Sequence, residues 1–120
     1  MIQNTNYKYD LEERTYNFAK DVRAFIKLLP RNISNNEDCK QLARSSGSIS
    51  ANYIEANESL SRKDFVMRVK ISKKETKESR LWLNLLDVGE NIELEKIKKR
   101  LMGECSELMK IFGAIVEKSK

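Results

Sequence analysis

The chain has 120 residues, enough for one hydrophobic core and too few for two ordinary domains. One proline, four glycines, 40% apolar and 34% charged residues make a helix-rich folded protein the expectation and disorder an unlikely alternative. Histidine is absent, which excludes serine–histidine and cysteine–histidine nucleophile pairs, imidazole bases and histidine metal sites, while a net charge of +5 permits an acidic partner without demanding one.

The opening segment, MIQNTNYKYD, has neither the basic stretch nor the apolar run of a secretion signal, and no stretch approaches the ~18 apolar residues of a membrane span. The expectation is a protein that stays in a reducing cytoplasm and has no membrane partner. Leu11, Thr15, Phe18, Val22, Phe25 and Leu29 recur at spacings of three and four, with Ala19 and Ile26 widening the stripe, and predict a first helix over 10–29. Pro30 ends it. Residues 31–36 read as a loop in which Ser34, Asn35 or Asn36 can cap the next helix, and Glu37 and Asp38 suit its positive end.

The second helix, over 36–57, places Cys39, Leu42, Ser46, Ile49, Tyr53 and Ala56 on one side. Its uncharged run from Ser45 to Ile54 also reads, on composition alone, as a flexible linker, but the helical spacing continues through it and small side chains let a neighbour approach closely. Cys39 and Cys105 both fall at apolar positions of helical patterns and read as small core residues rather than reactive or metal-binding thiols.

Ser61 and Asp64 form an S-x-x-D capping box that starts a third helix over 62–87, with Gly89 as a left-handed stop beyond it. At 100° per residue this helix has three sectors. Phe65, Val69, Ser72, Thr76, Ser79, Leu83 and Leu86 form a core face whose hydroxyls are expected to bond to backbone or to a neighbouring helix. Arg62, Lys63, Lys70, Lys73, Lys74, Lys77 and Arg80 gather in roughly a third of the circumference. Residues 61–87 carry eight basic and four acidic side chains, a balance of +4, against −2 for residues 34–58, so the positive charge is localised.

Met67, Ile71, Trp82 and Leu85 form the third sector, an apolar stripe beside the core face that calls for a second partner, either another subunit or another helix of the same chain. Glu75 and Glu78 lie between them. Two carboxylates on one helix can hold metal, but the E-x-x-H element of di-iron bundles would need histidine where Glu78 stands, and Lys74, Lys77 and Arg80 make an ion-paired face the simpler reading.

The fourth helix, over 92–117, presents Leu94, Ile97, Leu101, Cys105, Leu108, Phe112 and Ile115 on one side, adjoined by Met102, Met109 and Val116. Its basic cluster Lys96, Lys98, Lys99 and Arg100 is offset by Glu93 and Glu95. Four amphipathic segments of ~20 to 27 residues joined by short loops predict a single all-α domain, an antiparallel up-and-down four-helix bundle. No constellation for catalysis, cofactor binding or a small-molecule substrate emerges.

The basic stripe has two readings: a solvated face, or a track for RNA or DNA phosphates ~25 Å long at helical rise. Aromatic residues barely interleave with it, so backbone contact with little sequence preference is the form such binding would take.

Four segments stand out as motifs: Asp10-Leu11-Glu12, Ser48-Ile49-Ser50-Ala51-Asn52-Tyr53-Ile54-Glu55-Ala56, Ser61-Arg62-Lys63-Asp64-Phe65, and Lys74-Glu75-Thr76-Lys77-Glu78-Ser79-Arg80-Leu81-Trp82-Leu83. In these the chain resembles a known family, the bacterial four-helix-bundle proteins of intervening sequences in large-subunit ribosomal RNA genes. Ser50 and the Ala56-Asn57 pair depart from the proline and glycine of many relatives. The resemblance implies a four-helix protomer without enzymatic activity, and assembly as a homo-oligomer, a pentamer in related proteins. The related accessory variability determinants of diversity-generating retroelements imply, by analogy, a basic surface that binds nucleic acid and a nucleic-acid enzyme.

Overall fold

The computed structural model describes the backbone of residues 2–120 and side chains from Asp10 onward. Four helices are present: α1 (Ile2–Ile26), α2 (Ile33–Asn57), α3 (Arg62–Leu85) and α4 (Ile92–Lys118). They form an all-α bundle in which α1 adjoins α2, α2 adjoins α3, α3 adjoins α4 and α4 returns to α1, while across the α2/α4 diagonal the rings of Tyr53 and Phe112 meet with centroids 5.9 Å apart. Cross-helix contacts run in opposite residue order: Ser45 meets Ser79 while Asn52 meets Arg68, and Arg14 meets Glu104 while Asp21 meets Arg100. Neighbours are therefore antiparallel, as the short loops require. The result is a rod of 47 × 24 × 19 Å.

Local chemistry sets the helix ends, and it moves some of them from where periodicity puts them. The helix α1 begins at Ile2, ahead of Asp10, and gives way to a turn after Ile26, three residues before the expected Leu29. The cap of α2 is Asn32, whose side chain accepts a hydrogen bond from the Asn35 amide at 2.8 Å, so this helix starts at Ile33. Ser61 caps α3 as the sequence indicates, accepting from the Asp64 amide at 3.1 Å. Leu86 is extended, so α3 stops at Leu85 rather than 87, and Gly89 takes its left-handed φ of 67° within the loop that follows. Asn91 caps α4.

The core follows the four stripes closely. Leu11, Thr15, Phe18, Val22, Phe25 and Leu29 of α1 and its turn are buried against Leu42, Ile49 and Tyr53, Val69 and Leu83, and Leu101, Leu108 and Phe112. Between α2 and α3 the core is partly polar, and the hydroxyls of Ser45, Ser72, Thr76 and Ser79 are hydrogen-bonded. Ser45 and Ser79 share a hydrogen bond of 2.7 Å, Ser72 donates to the Ile49 carbonyl at 3.0 Å, and Thr76 donates to the Ser72 carbonyl at 2.7 Å. Each is worth about 0.5–1.5 kcal/mol net, and small hydroxyls also let the two helix axes approach. The uncharged run of α2 is thus helical and packed.

At one end of the rod, Asn35 is buried and joins both loops. Its Nδ2 donates to the carbonyls of Pro30 at 3.0 Å and Asp87 at 2.8 Å, and its Oδ1 accepts from the Asp87 amide at 2.9 Å. The sequence offers Asn35 as a possible helix cap; its position in the fold makes it a clamp between hairpins.

Candidate nucleic-acid interface

The capping box fixes where α3 starts, and so which of its side chains face outward. All seven basic residues of the stripe, Arg62, Lys63, Lys70, Lys73, Lys74, Lys77 and Arg80, are exposed along the α3/α4 side of the rod. Two side chains reach across to α4: Arg80 Nε donates to Ser106 Oγ at 3.2 Å, and the Lys73 ammonium lies 3.5 Å from where a Cβ on Gly113 would stand. Small residues of α4 at a spacing of seven thus open the groove over which the cations lie. That spacing is visible in the sequence, but only the pairing of α3 with α4 gives it meaning. Arg68, outside the stripe, instead donates to Asn52 Oδ1 at 3.0 Å.

The stripe is almost uncompensated. Among the described residues its sole carboxylate contact is Lys74 with Glu75, at 3.9 Å. The basic cluster of α4 is different: Lys96 pairs with Glu93, Lys99 with Glu95 and Arg100 with Asp21, while Lys98 donates to the Leu86 carbonyl at 2.9 Å. Within the stripe five like-charged pairs stand three or four residues apart, from Lys70–Lys73 to Lys77–Arg80. At a few tenths of a kcal/mol each they cost the isolated helix roughly 1–2 kcal/mol, which a bound anion would relieve.

The two carboxylates expected to neutralise this face are engaged chiefly by a cation of another helix. Glu75, 6% exposed, and Glu78 both pair with Arg44 of α2, at 3.2 and 3.5 Å. Their ion-paired state agrees with the sequence reading, but the main partner lies on another helix. Among the described residues no group of three or more carboxylates and cysteines is placed to hold a metal ion.

The apolar third sector divides. Met67 and Leu85 are about half exposed, at 49% and 54%, whereas Ile71 and Trp82 are partly covered and Trp82 packs against the core. The Trp82 indole nitrogen is buried without a hydrogen-bond partner among the described residues. Leu81, 49% exposed, adds an apolar position that the sectors did not include, within the basic stripe itself.

Cys105 is a core residue as expected, its thiol pushed up to about 12 by burial, with Arg80 opposing the shift and Glu104 adding to it. Cys39 departs from the expectation in being only partly buried; burial, then Asp38, raises its pKa.

These features define a four-helix bundle with one cationic outer face. The chain belongs to the family of 23S rRNA-intervening sequence proteins, whose profile matches residues 8–114. It is similar to a crystal structure of a protein with unknown function from the S23 ribosomal protein family of Bacteroides thetaiotaomicron. The two share 28% identity with a TM-score of 0.72, over 88% of this chain and 96% of that one. No curated protein matches the chain. Among the described residues, no helix is long and apolar enough to cross a membrane.

Proposed function

We propose that the protein is a non-enzymatic homo-oligomer that binds the phosphate backbone of RNA or DNA through the outer face of α3, as an accessory scaffold for a nucleic-acid enzyme. One observation carries the reading: among the described residues six of the seven stripe cations lack any carboxylate within ion-pair distance, while the cluster on α4 is satisfied within the fold. A face that serves only solubility gains from interspersed signs, whereas a row of one sign repels itself and attracts a polyanion.

The test is binding to unrelated duplexes and single strands across salt concentrations. Affinity should fall steeply with salt, with a log–log slope that approaches about −5 on duplex if most of the stripe engages. Changing Lys70, Lys73, Lys77 and Arg80 together to glutamine should abolish most of the binding. The same change at Lys96, Lys99 and Arg100 should leave it nearly intact. Absence of binding at low salt refutes the proposal.

Exposed Met67, Leu81 and Leu85 beside the stripe favour a second reading, an assembly protein that binds only another protein. A partner captured equally well after nuclease treatment and after the four glutamine changes would select it.

A further inference from the structure

The stripe is not uniform along its length, and its C-terminal end has the chemistry of a different contact. Between α3 and α4 a shallow recess of about 650 Å³ opens there, its apolar floor made of Leu81 and Met109 and its polar lining of Lys77, Glu78, Arg80 and Asn84. Further along α3, toward Arg62, the outward positions are mostly lysines, which are rotatable point charges. Arg80 differs from them in kind. Its Nε is held by Ser106 of α4 at 3.2 Å, which restrains a planar guanidinium beside the apolar floor.

We infer that this recess seats one unpaired nucleotide of the bound nucleic acid, its base against the Arg80 guanidinium and the Leu81–Met109 floor, its flanking phosphates on the neighbouring lysines. This rests on the phosphate-binding role proposed for α3. Each part of the recess matches a part of a nucleotide. A base needs a flat or apolar surface on which to stack, and a guanidinium plane supplies one where no aromatic ring is available. Its edge needs donors and acceptors, and the Asn84 amide offers both, joined by the Glu78 carboxylate that Arg44 holds on the α2 side. The phosphates need cations within reach, and Lys74 and Lys77 line the same recess. A paired base has its faces covered by the duplex stack, so only an unpaired one fits. The rest of α3 then follows the backbone on one side of that nucleotide, which makes a junction between duplex and single strand the preferred ligand.

The experiment compares a blunt RNA duplex with the same duplex carrying a short single-stranded extension, each titrated against the full chain by fluorescence anisotropy. The extended probe should bind about tenfold more tightly, the size expected for stacking one base. Arg80→Lys keeps the charge and should erase that preference, so that the two probes bind the variant with equal affinity. Asn84→Ala should leave the preference in place and flatten differences among the four bases in the extension. Equal affinity of the unmodified protein for the two probes, or an undiminished preference in Arg80→Lys, overturns the inference and leaves phosphate binding standing. Failure to bind either probe at low salt overturns both.

Discussion

Asn35 shows how far a single side chain can depart from its local signal. In the sequence it is one of three polar residues ahead of a helix, and nothing in its neighbourhood marks it for burial. Its partner Asp87 lies 52 residues away, so its role exists only once the two hairpins have met. Asn35→Ala leaves two carbonyls and one amide without their partner in a partly buried position, and each unsatisfied group costs about 1–3 kcal/mol before relaxation and rehydration. A net loss of about 2–4 kcal/mol is expected, or a fall of roughly 10 °C in Tm for a domain of this size. Calorimetry that finds less than about 0.5 kcal/mol would deny it the role of a clamp.

Cys105 provides a prediction in pH. Its thiol in the unfolded chain loses a proton near the ordinary 9.0, and in the folded chain near 12. Between these values the unfolded state binds fewer protons, so the stabilising contribution is complete below pH 9 and declines as pH rises toward 12. Cys105→Ala should flatten this part of the alkaline stability profile relative to the unmodified protein, while costing about 1–2 kcal/mol at neutral pH through lost packing. Parallel profiles from urea unfolding of the two proteins would contradict it.

At the scale of the element, α3 was the most legible helix and also the one whose details the sequence could least supply. Its start at Ser61, its hydroxyl-lined core face and the outward direction of all seven cations follow from capping and a 3.6-residue period, both local properties. The pairing of Glu75 and Glu78 with Arg44 does not, because it depends on the register of α2 against α3. Nor does the contrast between the stripe and the basic cluster of α4: both read as lysine-rich, and only the positions of Glu93, Glu95, Asp21 and the Leu86 carbonyl separate them. The comparison of glutamine variants on the two helices is therefore a test of compensation rather than of charge count. Lys98 belongs apart from both sets, since its bond to the end of α3 links it to stability.

For the whole molecule, the bundle architecture was readable because four apolar stripes and three short loops admit few other arrangements. A subunit interface was not, since the sector that suggested one is half absorbed by the fold of a single chain. Trp82 packs against its own core, which makes its replacement by a charge a poor diagnostic. The proposed assembly is better tested at Met67 and Leu85, whose exposure lets aspartate enter without disturbing the fold. Light scattering of the unmodified protein should give several times the 14.0 kDa of one chain, and Met67→Asp with Leu85→Asp should lower that mass with helicity retained. A 14.0 kDa particle from the unmodified protein would refute the assembly.

The hydroxyl contacts between α2 and α3 bear on more than packing. Leucine against leucine tolerates a small roll of one cylinder on another, because dispersion has no preferred direction. The bonds from Ser79 to Ser45 and from Ser72 to the Ile49 carbonyl do have one, and they grip α3 at two levels along its length. Its azimuth is therefore set from behind. The lysine tips can swing while the line on which they are mounted stays aligned with the long axis of the rod.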